Sequence, residues 1–210
     1  MNGTSFALSR RGLLAAALLD LIPFPARAGE FTYKGWRFDS SPVHDQLSDD
    51  LVRSLQAQID IVESVNLKPH IKAFFQRVPK EIDVTTHHGE GAYDFNLHRM
   101  YLSIAIDPPE NPVLLHELIH AYHDQRMPGG VDNDMVIDWF EHASGSGLFP
   151  ADAYMMKNRV EFLAMCVSVV LWGRAARPPS TRENVRQAYP YIYDWTVKEF
   201  TTGELAPVPA

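Results

Sequence analysis

A single cysteine, Cys166, stands in the 210 residues, so no intrachain disulfide can form, and its place in a strongly apolar run reads as a small core side chain. Positive charge is scarce. Nineteen lysines and arginines stand against 26 aspartates and glutamates, a formal net charge of −7, which argues against nucleic acid as a partner. No internal repeat and no low-complexity tract is visible, which excludes solenoid, collagen-like and disordered classes. The apolar stretch from Gly12 to Ile22 is interrupted by Asp20 and falls short of the ~20 residues that a bilayer span requires, so no stable membrane insertion is expected. What remains is ordinary usage, 46% hydrophobic and 21% charged, in a chain long enough for one core of good size and too short for two.

The first 28 residues form a separate pattern: a polar start, Ser9-Arg10-Arg11-Gly12, then the apolar stretch, then Ala26-Arg27-Ala28. This is the layout of a secretory signal peptide, and the paired arginine resembles the twin-arginine export signal of bacteria. The expectation is a cleaved leader, residues 1–28, and one domain over 29–210 located in the periplasm or secreted. Removing Arg10, Arg11, Arg27 and Asp20 leaves 16 basic and 25 acidic side chains and a formal charge of −9.

Ser48-Asp49-Asp50 precedes Leu51, Leu55, Ile59 and Val62, apolar residues three or four apart, and predicts a capped amphipathic helix. Ile71 to Val78 continues as a shorter helix after Pro69. Lys80 to Thr86 reads as a strand from its alternation and β-branched content, and Ala92 to Ile106 holds a second, with Asn96 to Ile104 a candidate sheet edge. Asn111 and Pro112 suit the cap and first position of a helix that Pro128-Gly129-Gly130 ends. A loop-rich stretch with room for short helices then reaches Pro150, an apolar helix runs from Ala151 to about Leu171, and a last helix starts after Ser180-Thr181-Arg182-Glu183, with Pro190 kinking or splitting it.

The helix that begins near Asn111 carries His116-Glu117-Leu118-Ile119-His120. At 3.6 residues per turn the two histidines lie one above the other and can direct imidazoles at one point, a geometry suited to Zn²⁺. Glu117 can act as general base on a water at the metal. Val113, Leu114, Leu115, Leu118 and Ile119 bury the helix, where charged groups are costly without a metal or partners. A catalytic zinc needs a third protein ligand. Arg126 stands where a metzincin would carry histidine, which excludes that class. His123, one turn on, reads as a supporting or surface residue. Asp132, Asp134 and Asp138 are candidates in an acidic loop. Glu161 is the better one, since a carboxylate inside an apolar helix needs a compensating charge, either a metal or an arginine such as Arg159 or Arg174.

Two segments carry a resemblance. HExxH followed some forty residues later by Glu161-Phe162-Leu163-Ala164 is similar to the gluzincin metallopeptidases related to the catalytic domain of anthrax lethal factor and to the Mlc titration factor peptidases. Asn158 also fits the lethal-factor pattern, and the likeness covers roughly residues 90 to 172, with Leu163 in place of a more usual phenylalanine. A fainter likeness, over His116 to Asp124, is to type III effector peptidases. The gluzincin resemblance implies an α+β, zincin-like fold, with a small, partly antiparallel sheet packed on the motif helix and a mostly helical C-terminal half. It implies zinc held by His116, His120 and Glu161, Glu117 as base, and Tyr154, seven residues before Glu161, as a catalytic residue that a continuous helix would bring to the same side. The expected activity is hydrolysis of peptide or protein substrates. The rival expectations are a non-enzymatic periplasmic zinc-binding or scaffold protein, and an enzyme of another hydrolytic class using the same zinc.

Overall fold

The Gly/aromatic segment at the start of the domain folds as a hairpin of β1 (Glu30–Tyr33) and β2 (Trp36–Asp39). Lys34 and Gly35, both at positive φ, make its two-residue turn. Trp36 and Phe38 point into the core while Arg37 and Asp39 face outward, the period of two that a half-buried strand requires. The computed structural model describes residues 29–83, 91–103 and 111–208. The expected leader, 1–28, and the far ends of two expected strands, 84–86 and 104–106, lie outside the described residues.

Helix α1 (Asp49–Ser64) begins where expected: the Ser48 hydroxyl accepts the Leu51 N–H at 3.2 Å, and Leu51, Leu55, Ile59 and Val62 are buried. Helix α2 (Pro69–Arg77) has proline in its first turn, where no N–H is needed, and leads into β3 (Lys80–Asp83). The next stretch is two strands rather than one. β4 (Gly91–Asp94) and β5 (Arg99–Ser103) pair as an antiparallel hairpin. Asp94 Oδ1 accepts the N–H groups of Asn96 and Leu97 at 2.8 and 3.0 Å, and this turn is why the segment alternates poorly as a single strand.

The sheet runs in the order β1-β2-β3-β5-β4, antiparallel at both ends and parallel in the middle. The expectation that Asn96 to Ile104 forms a sheet edge is corrected. β5 is paired on both sides, and β4 is the outer strand. The physical reason is burial: Met100 and Leu102, in register with Lys80 and Ile82 of β3, are 0% and 2% exposed, which an edge strand would not provide.

Helix α3 (Val113–Arg126) carries the HExxH run. Asn111 is not its side-chain cap. Pro112 holds the cap position, and Gln58 of α1 does the capping from outside, accepting the Leu114 N–H at 3.2 Å and donating to the Asn111 carbonyl at 2.8 Å. The stretch expected to be loop-rich with short helices contains the thirteen-residue α4 (Asp134–Ser146), started by Asn133, whose side chain accepts the Val136 N–H, and ended by Gly147 at positive φ. The helix expected over Ala151 to Leu171 is shorter. Tyr154–Met156 is a separate 3-10 turn, and α5 (Arg159–Trp172) starts at Asn158, whose side chain accepts the N–H groups of Val160 and Glu161. Pro190 splits the last helix into α6 (Arg182–Ala188) and α7 (Pro190–Phe200), and Thr181 rather than Ser180 caps α6.

The chain is therefore α+β and mostly helical, with seven α-helices beside a small mixed sheet among the described residues. Among those residues no helix is long and apolar enough to cross a membrane. Helix α5 is buried along nearly its whole length, Cys166 included, and packs against α3, α4, α6 and α7.

Candidate metal centre

α3 lies against α5 on one side and against α1, β4 and β5 on others. Residues four apart share a helix face, so His116 and His120 both reach Glu161 in the first turn of α5. His116 Nε2 is 3.1 Å from Glu161 Oε2, His120 Nε2 is 3.1 Å from His116 Nε2, and His120 Nε2 is 3.6 Å from Glu161 Oε2. The three side chains are 12%, 5% and 15% exposed. A tetrahedral ion with bonds of about 2.0–2.2 Å sets its ligand atoms about 3.3–3.6 Å apart, close to these three edges. Two imidazole nitrogens and a carboxylate oxygen at such spacing could hold a metal ion.

The charges around this group respond as neighbours should. Burial pushes the Glu161 carboxyl up, but the hydrogen bond from His116 and the close approach of His120 outweigh it and hold the group far below the usual carboxylate range. Burial would lower His120, yet Glu161 and Glu117 raise it above its ordinary value. Arg159, one candidate counterion for Glu161, turns instead to Asp132 and to the Val131 carbonyl. The Phe95 ring, from the β4–β5 turn, sits edge-on to His120 at 5.9 Å. That turn is tied to α3 by Asp124, which accepts the Tyr93 hydroxyl at 2.7 Å and lies 2.6 Å from His98 Nδ1.

Glu117 lines a cleft and is not one of the three converging side chains. It is 5% exposed, burial raises its carboxyl above the normal range, and its Oε2 has no hydrogen-bond partner among the described residues. Gly91 at the head of β4 comes so near that a Cβ there would stand 3.2 Å from Glu117 Oε1 and 3.0 Å from Val113 Cγ1. Glu117 and His116 form part of the wall of a cleft of about 330 Å³, with Val113, Met165, Tyr154 and Arg177 among the other lining residues.

Tyr154 reaches the site without the continuous helix expected for it. The break at Asn158 places it on the preceding 3-10 turn, and its ring stands at the cleft with the phenol pushed up by burial and by the charge of Glu161. His123 is neither a surface residue nor one of the converging ligands. It is 0% exposed, with no hydrogen-bond partner at either ring nitrogen among the described residues, and burial lowers it to about 4. Asp132, Asp134 and Asp138 do not join the converging group.

Sequence reasoning missed Gly91, Gln58 and Arg177 as parts of this region. Only Gly91 carried any local signal, a glycine at the start of a strand, where close approach of another element is common. Comparison of the chain with protein-family models, with curated proteins and with solved structures finds no match in any of the three. The site therefore rests on its own geometry.

Proposed function

We propose that the protein is an exported, zinc-dependent metallopeptidase of zincin-like architecture. The observation that carries this reading is the convergence of His116 Nε2, His120 Nε2 and Glu161 Oε2 with edges of 3.1, 3.1 and 3.6 Å, beside a buried carboxyl that is not one of the three. Two imidazoles and one carboxylate at tetrahedral spacing suit Zn²⁺, and three protein ligands leave a fourth position for water or substrate. Bound there, zinc would supply Lewis acidity for a carbonyl and lower the pKa of a water.

The chain's own residues divide the remaining work. Glu117, adjacent in sequence to a ligand and lining the cleft, takes the proton from the attacking water and delivers it to the leaving amine. Burial raises its affinity for a proton, which favours the acceptance. Tyr154 lines the same cleft as His116 and Glu117, and its phenol donates to the oxygen on which negative charge develops. The outer edge of β4, which begins at Gly91 beside Glu117, offers backbone groups to an extended peptide. The pattern of residues 1–28 supports a place outside the cytoplasm.

The test joins metal analysis to a peptide-library digest, run on wild type and Glu117→Gln. Stoichiometric zinc in both proteins and cleavage by the wild type alone is the expected result, because the amide holds a water without accepting its proton. An active Glu117→Gln protein would remove the mechanism. Zinc-loaded wild type that cleaves no peptide would favour the scaffold reading.

A further inference from the structure

A histidine that binds a metal through one ring nitrogen is ordinarily turned to the right angle by its other one, which donates to a carboxylate, a carbonyl or a water. His120 has no such bond: its Nδ1 is buried and without a hydrogen-bond partner among the described residues. What the imidazole has instead is aromatic neighbours. The His116 ring stands at 88° to it with centres 4.7 Å apart, and the Phe95 ring stands at 72° with centres 5.9 Å apart. His116 belongs to the converging group itself, so Phe95 is the neighbour that comes from outside it.

Phe95 is partly buried and is held in place by a built turn. The Tyr93 ring packs on it edge-on, with centres 5.0 Å apart and planes at 84°. The Tyr93 hydroxyl donates to Asp124 Oδ2 at 2.7 Å and accepts from Gln125 Nε2 at 2.7 Å, and His98 Nδ1 lies 2.6 Å from the same Asp124 oxygen. His98 has φ 49°, a left-handed backbone that a residue with a side chain keeps only where its surroundings over-determine it. Asp124 stands four residues past His120 in α3, one helical turn further along the same helix. The turn is therefore fastened to the helix that carries the imidazole, at residues 93 and 98, and Phe95 lies between the two fastenings.

We infer that Phe95 is a positioning residue for His120: the β4–β5 turn, fastened to Asp124, packs the Phe95 ring against the imidazole and sets the plane in which Nε2 faces His116 and Glu161. Packing does here what a hydrogen bond from the second nitrogen does elsewhere. This rests on the metal-centre part of the reading above and not on peptide cleavage.

The test reads metal binding directly, by competition for zinc with a coloured chelator and by the visible spectrum of the Co²⁺-substituted protein, which responds to the angles of the ligands. Phe95→Ala should weaken zinc by about 3–10-fold, the scale of one lost aromatic pair, and should change the Co²⁺ spectrum. Asp124→Ala frees the turn from α3 and should weaken zinc in the same direction. The double variant should lose little more than the weaker of the two single variants, because both changes act through one ring.

Unchanged zinc affinity and an unchanged Co²⁺ spectrum in Phe95→Ala, with only the melting temperature lowered, would make Phe95 a packing residue and overturn the inference. Tighter zinc in Phe95→Ala would overturn it as well, since water admitted to Nδ1 would then orient the ring better than Phe95 does. So would an Asp124→Ala protein that binds zinc as wild type does, or single losses that multiply in the double variant. If Phe95→Ala does not fold, Phe95→Leu, which keeps apolar bulk without the flat ring, takes its place in the same comparison. Wild type that holds zinc, responds to these variants and cleaves no peptide would remove the peptidase reading and keep this one. Wild type that holds neither zinc nor Co²⁺ would remove the metal centre and this inference with it.

Discussion

Glu161 and Glu117 flank the same pair of histidines and sit in opposite electrostatic surroundings. Glu161 is held ionised by both imidazoles, while burial raises Glu117 and leaves one of its oxygens without a hydrogen-bond partner among the described residues. Environments that push two carboxyl groups apart can divide roles between them, which in the proposed peptidase are ligand and base. Glu161→Ala should therefore lose zinc on dialysis against a weak chelator. Asp132→Ala should retain it, since Asp132 is engaged with Arg159 and not with the histidines; equal retention in both variants, read by metal analysis, would assign the third ligand elsewhere. Tyr154→Phe keeps the ring and its stacking on Arg177 but removes the donor. Its kcat should fall about 10²–10³-fold with zinc content and melting temperature unchanged, the scale of one lost oxyanion donor. Near-native turnover would make Tyr154 a packing residue.

Helix α5 shows how a local signal sets the site. Asn158 accepts two N–H groups at 3.0 and 2.9 Å, and the second belongs to Glu161 itself. The cap thus defines the turn from which the Glu161 carboxylate projects. Asn158→Ala should cost about 1 kcal/mol of stability, seen as a lower urea midpoint, and should also weaken zinc binding, whereas Asn158→Ser should recover most of both. Loss of stability with zinc affinity untouched would show that the cap supports the helix without positioning Glu161. Other caps were readable in the same way. Ser48 starts α1 and Pro190 divides α6 from α7, because a hydroxyl acceptor and a missing N–H act within a few residues of themselves. The start of α3 was not, since its cap is Gln58, more than fifty residues away in sequence.

Across the whole molecule, burial of His123 couples folding to pH. Burial first, then the charges of His120 and Arg159, lower its pKa to about 4, against the partly opposing charges of Asp124 and Asp132. An unfolded chain binds this proton near pH ~6.5, so below that the unfolded state gains a proton that the folded state refuses. Stability is then fully present above about pH 6.5 and falls as the pH drops toward about 4, by at most ~3 kcal/mol from this residue. Urea unfolding of metal-free protein across that range should show the slope, and His123→Gln should flatten part of it. An unchanged slope in the variant would place the coupling on other groups.

The HExxH spacing, the apolar positions around it and the buried carboxylate at 161 could be read from the sequence alone, because helical periodicity and the cost of burying charge are properties of short segments. The order of the sheet, the interior place of β5, the break between Tyr154 and α5, and the arrival of Gly91 and Arg177 at one cleft were decided only by the tertiary structure. These depend on which surfaces find each other across long stretches of chain. Pairing β3 with β5 buried Met100 and Leu102, and packing α5 on α3 brought Glu161 to the histidines, two outcomes of long-range burial that no local pattern encodes.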